Sequence, residues 1–177
     1  INNDGHPDLW FTAMEEQTFP MYFNSGGSFS DVTRTTGLAT ESVKMSGWSN
    51  LIADLDNEGW KDLFVARSNV LDNIAKITGR RYEEPNGLFR NLGNGRFESV
   101  VEMSGPAMQV PAVHRGAAFG DLDKDGRIDV VVTTLNGPIK IFHNVTTNEN
   151  HWLLVRLIGT RSNRMGIGAK LRLTLDN

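Results

Sequence analysis

The sequence predicts an all-β protein assembled from repeated units of short antiparallel strands. Three observations support this prediction: an acidic loop recurs along the chain, each copy leads directly into an apolar run, and a second apolar run ending in asparagine follows. Runs such as Val130-Val-Val-Thr133 are β-branched and too short for ordinary helices, which is typical of buried strands. The fold class therefore follows from a repeat and not from any single segment.

The acidic loop has the pattern D-x-D-x-D-G-x-x-D and is most complete at residues 121–129. A second copy occupies residues 54–62, and a third occupies residues 2–8 without its first position. Their fifth positions are Asp4, Glu58 and Asp125, which are 54 and then 67 residues apart. Because residue 1 falls inside a motif, we expect the chain to be a fragment of a longer protein.

The remaining strands of each unit follow from the segments around the loops. The second apolar runs are Met21–Asn24, Leu88–Asn91 and Ile141–Asn144. A glycine-rich turn and a phenylalanine follow the first two runs, and small apolar segments precede two of the loops. Asn94-Gly95 and Asn136-Gly137 tolerate the positive φ of tight hairpin turns. Each unit is therefore predicted to contain several strands separated by turns.

One unit is longer than the others. Asp62 and Asn91 are 29 residues apart, whereas the equivalent separations in the other units are 16 and 15 residues. The additional residues, near 68–85, are mostly polar and predict a long loop on one rim of the structure. Loops of this length often carry binding functions.

Four-stranded units repeating at this scale are typical of the blades of a β-propeller, in which radial repetition protects the sheet edges. We assign residues 1–40 to a partial blade, 41–110 to a blade with the insertion near 68–85, and 111–146 to a further blade. Closed propellers have about 4 to 8 blades. We therefore expect this chain to form a partial β-propeller, an open arc of a larger wheel.

The acidic loops are predicted to bind Ca²⁺, because their sharp turn brings oxygen atoms together and such ligands suit Ca²⁺ and not zinc or copper. The predicted ligands of the third loop are Asp121, Asp123, Asp125, the main-chain carbonyl of Arg127, and Asp129. Those of the second loop are Asp54, Asp56, Glu58, the carbonyl of Trp60, and Asp62. Those of the first loop are Asn2, Asp4, the carbonyl of His6, and Asp8.

An EF-hand and a solvated acidic turn are the alternatives to such a site. The EF-hand is excluded, because it needs flanking helices and a glutamate at its twelfth position, where Val132 stands. A solvated acidic turn accounts for any one loop taken alone, but the shared offsets of three copies favour cation binding. Glu58 departs from the aspartate of the pattern, and its longer arm is expected to weaken or reshape the second site.

The composition excludes several classes of protein. The net charge is −3 and no basic stripe is present, so nucleic acid is not an expected partner. No apolar run approaches the roughly 20 residues of a membrane-spanning helix. Cysteine is absent, which removes disulfides and thiol nucleophiles. The four histidines show neither an HExxH motif nor an i, i+4 pair, and no nucleophile elbow is present.

The loops and their flanking runs resemble the FG-GAP/VCBS repeats of integrin-α-like β-propellers, which carry such a calcium loop within a blade. Residues 147–177, including Asn150-His-Trp-Leu-Leu-Val-Arg-Leu157, are similar to the opening of an ASPIC/UnbV domain, which implies the start of a small β-rich domain there. The resemblance implies an arc of a wheel of about seven blades, within the usual range. It also implies an exported protein, secreted, periplasmic or on the cell surface, with no established catalytic residues.

We therefore expect a non-catalytic, calcium-binding recognition or adhesion module with an unknown protein or glycan ligand. One alternative is a fragment of a propeller enzyme, a hydrolase or lyase, whose active site lies on other blades, since a fold alone does not determine function. The other alternative is a purely structural scaffold that presents the C-terminal segment to a partner.

Overall fold

The computed structural model describes residues 1–174 and contains three small antiparallel sheets. The strands are β1 (Leu9–Trp10), β2 (Met21–Asn24), β3 (Phe29–Asp31), β4 (Gly47–Ala53), β5 (Asp62–Arg67), β6 (Gly87–Asn91), β7 (Phe97–Ser99), β8 (His114–Gly120), β9 (Asp129–Thr134) and β10 (Lys140–Phe142). Two short helices, α1 (Leu38–Ser42) and α2 (Ile74–Thr78), and the 3₁₀ turns Val101–Met103 and Pro106–Gln109 lie between strands. The all-β prediction is confirmed.

The second sheet shows the complete repeat unit, with strand order β4-β5-β6-β7. The first sheet, β1-β2-β3, contains the equivalents of β5 to β7, and the third sheet, β8-β9-β10, contains the equivalents of β4 to β6. Every pairing is antiparallel between neighbours along the chain. The acidic loop joins the first and second strands of the unit in the second and third sheets.

The sheets stack face to face, and alternate side chains of β5 pack against the sheets on its two sides. All six residues of β5 are buried, because the strand has a sheet neighbour on each edge and a packed layer on each face. Leu63 and Val65 pack into a core with Trp10 of the first sheet. Phe64, on the opposite face of β5, packs into a second core with Val130 of the third sheet. The period of two along a strand therefore directs alternate residues to different neighbours.

The insertion near residues 68–85 is more structured than the long loop that the sequence predicts. It leaves β5 at Ser68, forms helix α2, and returns through an antiparallel bridge between Ser68 and Glu83. Glu84 then pairs with Ala112 in a second isolated bridge. The insertion is thus tied at its base to the second sheet and to the segment that leads into the third.

Residues 147–174 form neither helix nor strand, so the structure differs here from the β-rich start of a domain that the sequence predicts, and most of their apolar side chains are exposed. The last three residues of the predicted C-terminal domain, 175–177, lie outside the described part of the chain. Among residues 1–174, neither helix has the length or apolar character needed to traverse a bilayer.

Candidate cation loops

The three acidic loops lie at equivalent corners of successive sheets. Each loop leads directly into the second strand of the repeat unit, which is β1, β5 or β9. The glycine at the sixth position has positive φ in every copy: Gly5 at 85°, Gly59 at 94° and Gly126 at 85°. This backbone conformation is easily adopted only by glycine, so the turn explains the residue in the pattern. The loops therefore share one local geometry as well as one sequence.

The aspartate at the ninth position is buried and connects the two ends of its loop. Asp129 is 1% exposed, and its carboxylate accepts hydrogen bonds from the main-chain N–H of Leu122 (3.0 Å) and from that of Asn144 (2.8 Å). Asp62 accepts the same pair of bonds, from Leu55 (3.0 Å) and Asn91 (2.9 Å). One carboxylate therefore ties the start of its loop to the end of the adjacent hairpin.

Asp8 occupies the same place in the first loop. Its carboxylate accepts hydrogen bonds from the main-chain nitrogen of Ile1 (2.8 Å) and from Asn24 (2.9 Å). The arrangement is therefore common to the three loops. The sequence predicted these aspartates as ligands, but their second role as a structural tie depends on contacts with a distant strand.

An asparagine after the next apolar run completes this tie: Asn24 and Asn91 end β2 and β6, and Asn144 lies two residues beyond β10. The side-chain amide of the asparagine donates to the carbonyl of the residue before the aspartate, and its side-chain oxygen accepts a main-chain N–H from the following turn. The amide distances are 3.0 Å from Asn24 to Pro7, 3.1 Å from Asn91 to Lys61 and 3.2 Å from Asn144 to Ile128. The recurring asparagine was visible in the sequence, but its function was not predicted.

The second loop brings three of its predicted ligands together. Asp54, Asp56 and Asp62 each offer a carboxylate oxygen, and these atoms lie within 4.8 Å of one another. Burial, with the nearby charge of Glu58, raises the pKa of Asp56 above its ordinary value. Glu58 lies outside the group, and its carboxylate pairs with Arg90 at 2.8 Å. The second loop thus concentrates negative charge that a cation would neutralise.

The third loop also gathers carboxylates. Asp121, Asp123 and Asp125 offer oxygens within 4.8 Å of one another. Asp129 belongs to a second such group with Asp123 and His143. Asp125 additionally pairs with the guanidinium of Arg127 in its own loop. The four carboxylates of the pattern are therefore neighbours, although Asp129 faces the histidine.

The first loop is organised by its own hydrogen bonds. The side chain of Asn2 donates to Asp4 at 2.9 Å, and Asp4 accepts the main-chain N–H of His6 at 2.8 Å. These bonds hold the pKa of Asp4 below its ordinary value, with the His6 N–H as the main cause. No group of three histidine or carboxylate ligands in residues 1–174 includes this loop. Its cation binding stays a prediction, as do the carbonyl ligands of His6, Trp60 and Arg127.

Two basic residues approach the loops, Arg90 from β6 and His143 from directly after β10, and the sequence did not point to them. Arg90 and His143 occupy equivalent places, each directly before the asparagine that completes the tie of its unit. The Arg90 guanidinium lies 3.3 Å from Asp56, and the ring Nδ1 of His143 lies 3.1 Å from Asp129. Only the strand register could reveal these contacts, because the partners are far apart in the sequence.

The two equivalent aspartates differ in their electrostatics. Burial raises the pKa of Asp62 from 3.8 to about 6, although the N–H groups of Asn91 and Leu55 oppose the shift. The pKa of Asp129 lies below its ordinary value: burial works against this, but hydrogen bonds from Asn144, Leu122 and His143 outweigh it. In the absence of a cation the ionised carboxylate at the base of the second loop is therefore less well stabilised than that of the third.

The donor set fits a hard divalent cation. The grouped side chains of the second loop offer oxygen only, which is the preference of Ca²⁺. One Glu58 oxygen is buried without a hydrogen-bond partner, and an unpaired buried carboxylate oxygen is costly unless something binds it. A cleft of about 410 Å³, lined in part by Asp56, Glu58 and Arg90, opens beside the loop.

Successive antiparallel sheets with one acidic loop at the same corner of each define a β-sheet repeat protein. The chain belongs to the family described as FG-GAP-like repeat, whose profile matches residues 1–65 and 77–132. The unmatched residues between these ranges, 66–76, cover the end of β5 and the first half of the insertion. The match therefore supports both the repeat and the interruption that the sequence indicates.

The chain is also similar to cartilage acidic protein 1 from three vertebrates. It is 38% identical to the Xenopus tropicalis protein over 64 residues, which cover 36% of this chain and 10% of that protein. The Mus musculus protein is 39% identical over 59 residues, covering 33% and 9%, and the Homo sapiens protein is 35% identical over 65 residues, covering 36% and 10%. The matched segments thus span about a tenth of these relatives.

Proposed function

We propose that this chain is a calcium-binding part of a β-propeller, in which its three sheets are successive blades. One observation carries the proposal: two neighbouring loops at equivalent corners each bring three carboxylates within 4.8 Å. Three like charges at this separation repel one another, and a divalent cation would convert the repulsion into attraction. The face-to-face packing of the sheets supports their assignment as blades.

The cation has a structural role in this proposal. The buried aspartates Asp62 and Asp129 are engaged by main-chain N–H groups at the base of each loop, so a bound ion would fasten the loop to the adjacent hairpin. We propose a non-catalytic module that is secreted, periplasmic or on the cell surface and that recognises a protein or glycan. Membership of the FG-GAP-like repeat family and the similarity to cartilage acidic protein 1 support an extracellular setting.

A thermal unfolding experiment tests calcium binding. The protein is melted in millimolar calcium and in chelator, as wild type and with Asp121→Asn plus Asp123→Asn. Extracellular modules bind calcium with a Kd of roughly 10⁻⁴ to 10⁻³ M, so a tenfold excess stabilises by about 1.4 kcal/mol per site. We expect calcium to raise the melting temperature, and the double variant to lose part of that rise.

The matched control is Glu98→Gln plus Glu102→Gln. Both glutamates are exposed and lie outside the loops, and the pair removes the same formal charge as the double aspartate variant. We expect this control to keep the full calcium response. A wild-type protein that melts at the same temperature in calcium and in chelator would contradict the proposal, as would an equal loss of response in both variants.

A further inference from the structure

The second and third cation loops are joined by a side-chain hydrogen bond. The Nδ2 of Asn57 donates to the main-chain carbonyl of Gly126 at 3.1 Å. Asn57 stands between Asp56 and Glu58 in the second loop, and Gly126 stands between Asp125 and Arg127 in the third. The amide therefore connects the centre of one predicted ligand set directly to the centre of the next.

The same contact occurs between the first and second loops. The Nδ2 of Asn3 donates to the carbonyl of Gly59 at 2.9 Å, again from the fourth position of one loop to the sixth position of the next. Asn3 and Asn57 both have positive φ, 59° and 55°, a conformation that asparagine tolerates better than most residues. The contact is thus a repeated feature of the stacking, and its residue type suits the backbone.

A second connection crosses each interface beside the first. The Nδ2 of Asn144, already bonded to Ile128 of its own unit, also donates to the carbonyl of Leu55 in the second loop at 2.6 Å. Asn91 makes the equivalent contact with the carbonyl of Ile1 at 3.4 Å. Each pair of neighbouring loops is therefore joined by one amide contact from loop to loop, and a second contact links the earlier loop to the asparagine that ties the later one.

We propose that Asn57 is a positioning residue that couples cation binding in the second and third loops, an inference that rests on the calcium function proposed above. An ion in the second loop would hold the carboxylates of Asp54, Asp56 and Asp62, and with Asp56 the neighbouring Asn57 amide. The carbonyl of Gly126 would then be held, so the third loop would lose less conformational freedom when its own ion binds. Binding would be positively cooperative, and the coupling would be reciprocal.

The two loops contain their own reporters for this coupling. The main-chain N–H of Gly59 donates to Asp54 at 2.9 Å, and that of Gly126 donates to Asp121 at 3.0 Å. In full-length protein labelled with ¹⁵N-glycine, the NMR signals of these two amides follow occupancy of each loop separately during a calcium titration. The titration is made on wild type and on Asn57→Gly, each with and without Asp121→Asn plus Asp123→Asn.

Glycine at position 57 removes the amide while allowing the same positive φ. In the wild-type background, disabling the third loop should move the Gly59 midpoint to about fivefold higher calcium, the lower end of typical coupling between sites. In the Asn57→Gly background, disabling the third loop should move the Gly59 midpoint by less than about twofold. Asn136→Gly is the matched control, because Asn136 has φ of 55° in the turn between β9 and β10 and should leave the coupling at its wild-type value.

Three results would overturn the inference while leaving the calcium function intact. The Gly59 midpoint could be independent of the state of the third loop, its shift could persist in Asn57→Gly, or the coupling could also be lost in Asn136→Gly. If neither glycine signal responds to calcium, the proposed function itself is wrong, and the inference is overturned with it.

Discussion

Replacing Asn91 by alanine tests whether the asparagine at the end of the strand holds the cation loop in place. Asn91 is 2% exposed at the end of β6. Its Nδ2 donates to the carbonyl of Lys61 at 3.1 Å, and its Oδ1 accepts the N–H of Gly93 at 3.0 Å. The alanine keeps the main-chain bond to Asp62 and removes both of these side-chain bonds.

The expected loss of stability follows from those two bonds. A hydrogen bond inside a folded protein contributes about 1 kcal/mol net, and a partner left unsatisfied adds to the loss. Asn91→Ala should therefore lower the free energy of unfolding by about 2 to 3 kcal/mol. The longer contact with Ile1, at 3.4 Å, contributes less.

Equilibrium unfolding in urea, followed by tryptophan fluorescence in the presence of chelator, measures this difference without a contribution from calcium. Asn94→Ala is the control in the same hairpin, because the Asn94 side chain is exposed and only accepts the N–H of Arg96, at 3.1 Å. Its substitution should change the free energy of unfolding by no more than about 0.5 kcal/mol. Equal effects of the two substitutions would refute the reasoning.

Two further predictions concern packing and pH. Gly87→Ala would place a Cβ 2.6 Å from Cγ1 of the buried Val65, so it should lower the free energy of unfolding by about 1 to 3 kcal/mol. Gly120→Ala is the control and should not destabilise the protein, because no atom lies within 4 Å of its Cβ. Urea unfolding compares them, and equal stabilities would contradict the packing argument. Asp62, whose pKa burial raises to about 6, binds its proton more tightly in the folded state than in the unfolded state. In chelator, the contribution of Asp62 to the free energy of unfolding is therefore most favourable below about pH 4. It decreases by up to about 3 kcal/mol towards pH 6 and is constant above that pH. The difference in stability between wild type and Asp62→Asn, measured from pH 4 to 7, should follow this curve, and a constant difference would contradict it.

The parts of the site that lie close together in the chain could be predicted from the sequence. The offsets of the carboxylates and the glycine at the sixth position describe a turn of nine residues, and the apolar run after it predicts a strand. Asp121, Asp123 and Asp125 are brought together as that pattern implies. Such contacts need only local backbone geometry, which the residue types themselves restrict.

The parts that join distant segments could not be predicted in this way. The insertion looked like a loop, but Ser68 and Glu83 pair across its base and helix α2 forms between them. Arg90, in β6, and His143, directly after β10, approach the loops because of where those strands lie in their sheets. Their distance along the chain from their partners left no local signal.

By itself, the sequence determined that the chain is a β-sheet repeat protein with an acidic loop in each unit, because those features recur at fixed offsets within a few residues. The tertiary structure alone decided that Asp62 and Asp129 are buried ties, that Asn91 and Asn144 hold them, and that Asn57 reaches the next loop. These contacts depend on strand register and on the stacking of sheets. A slip of one residue in strand pairing would turn the strand residues Asp62, Asn91 and Asp129 to the opposite face, and no local pattern of residues specifies that choice.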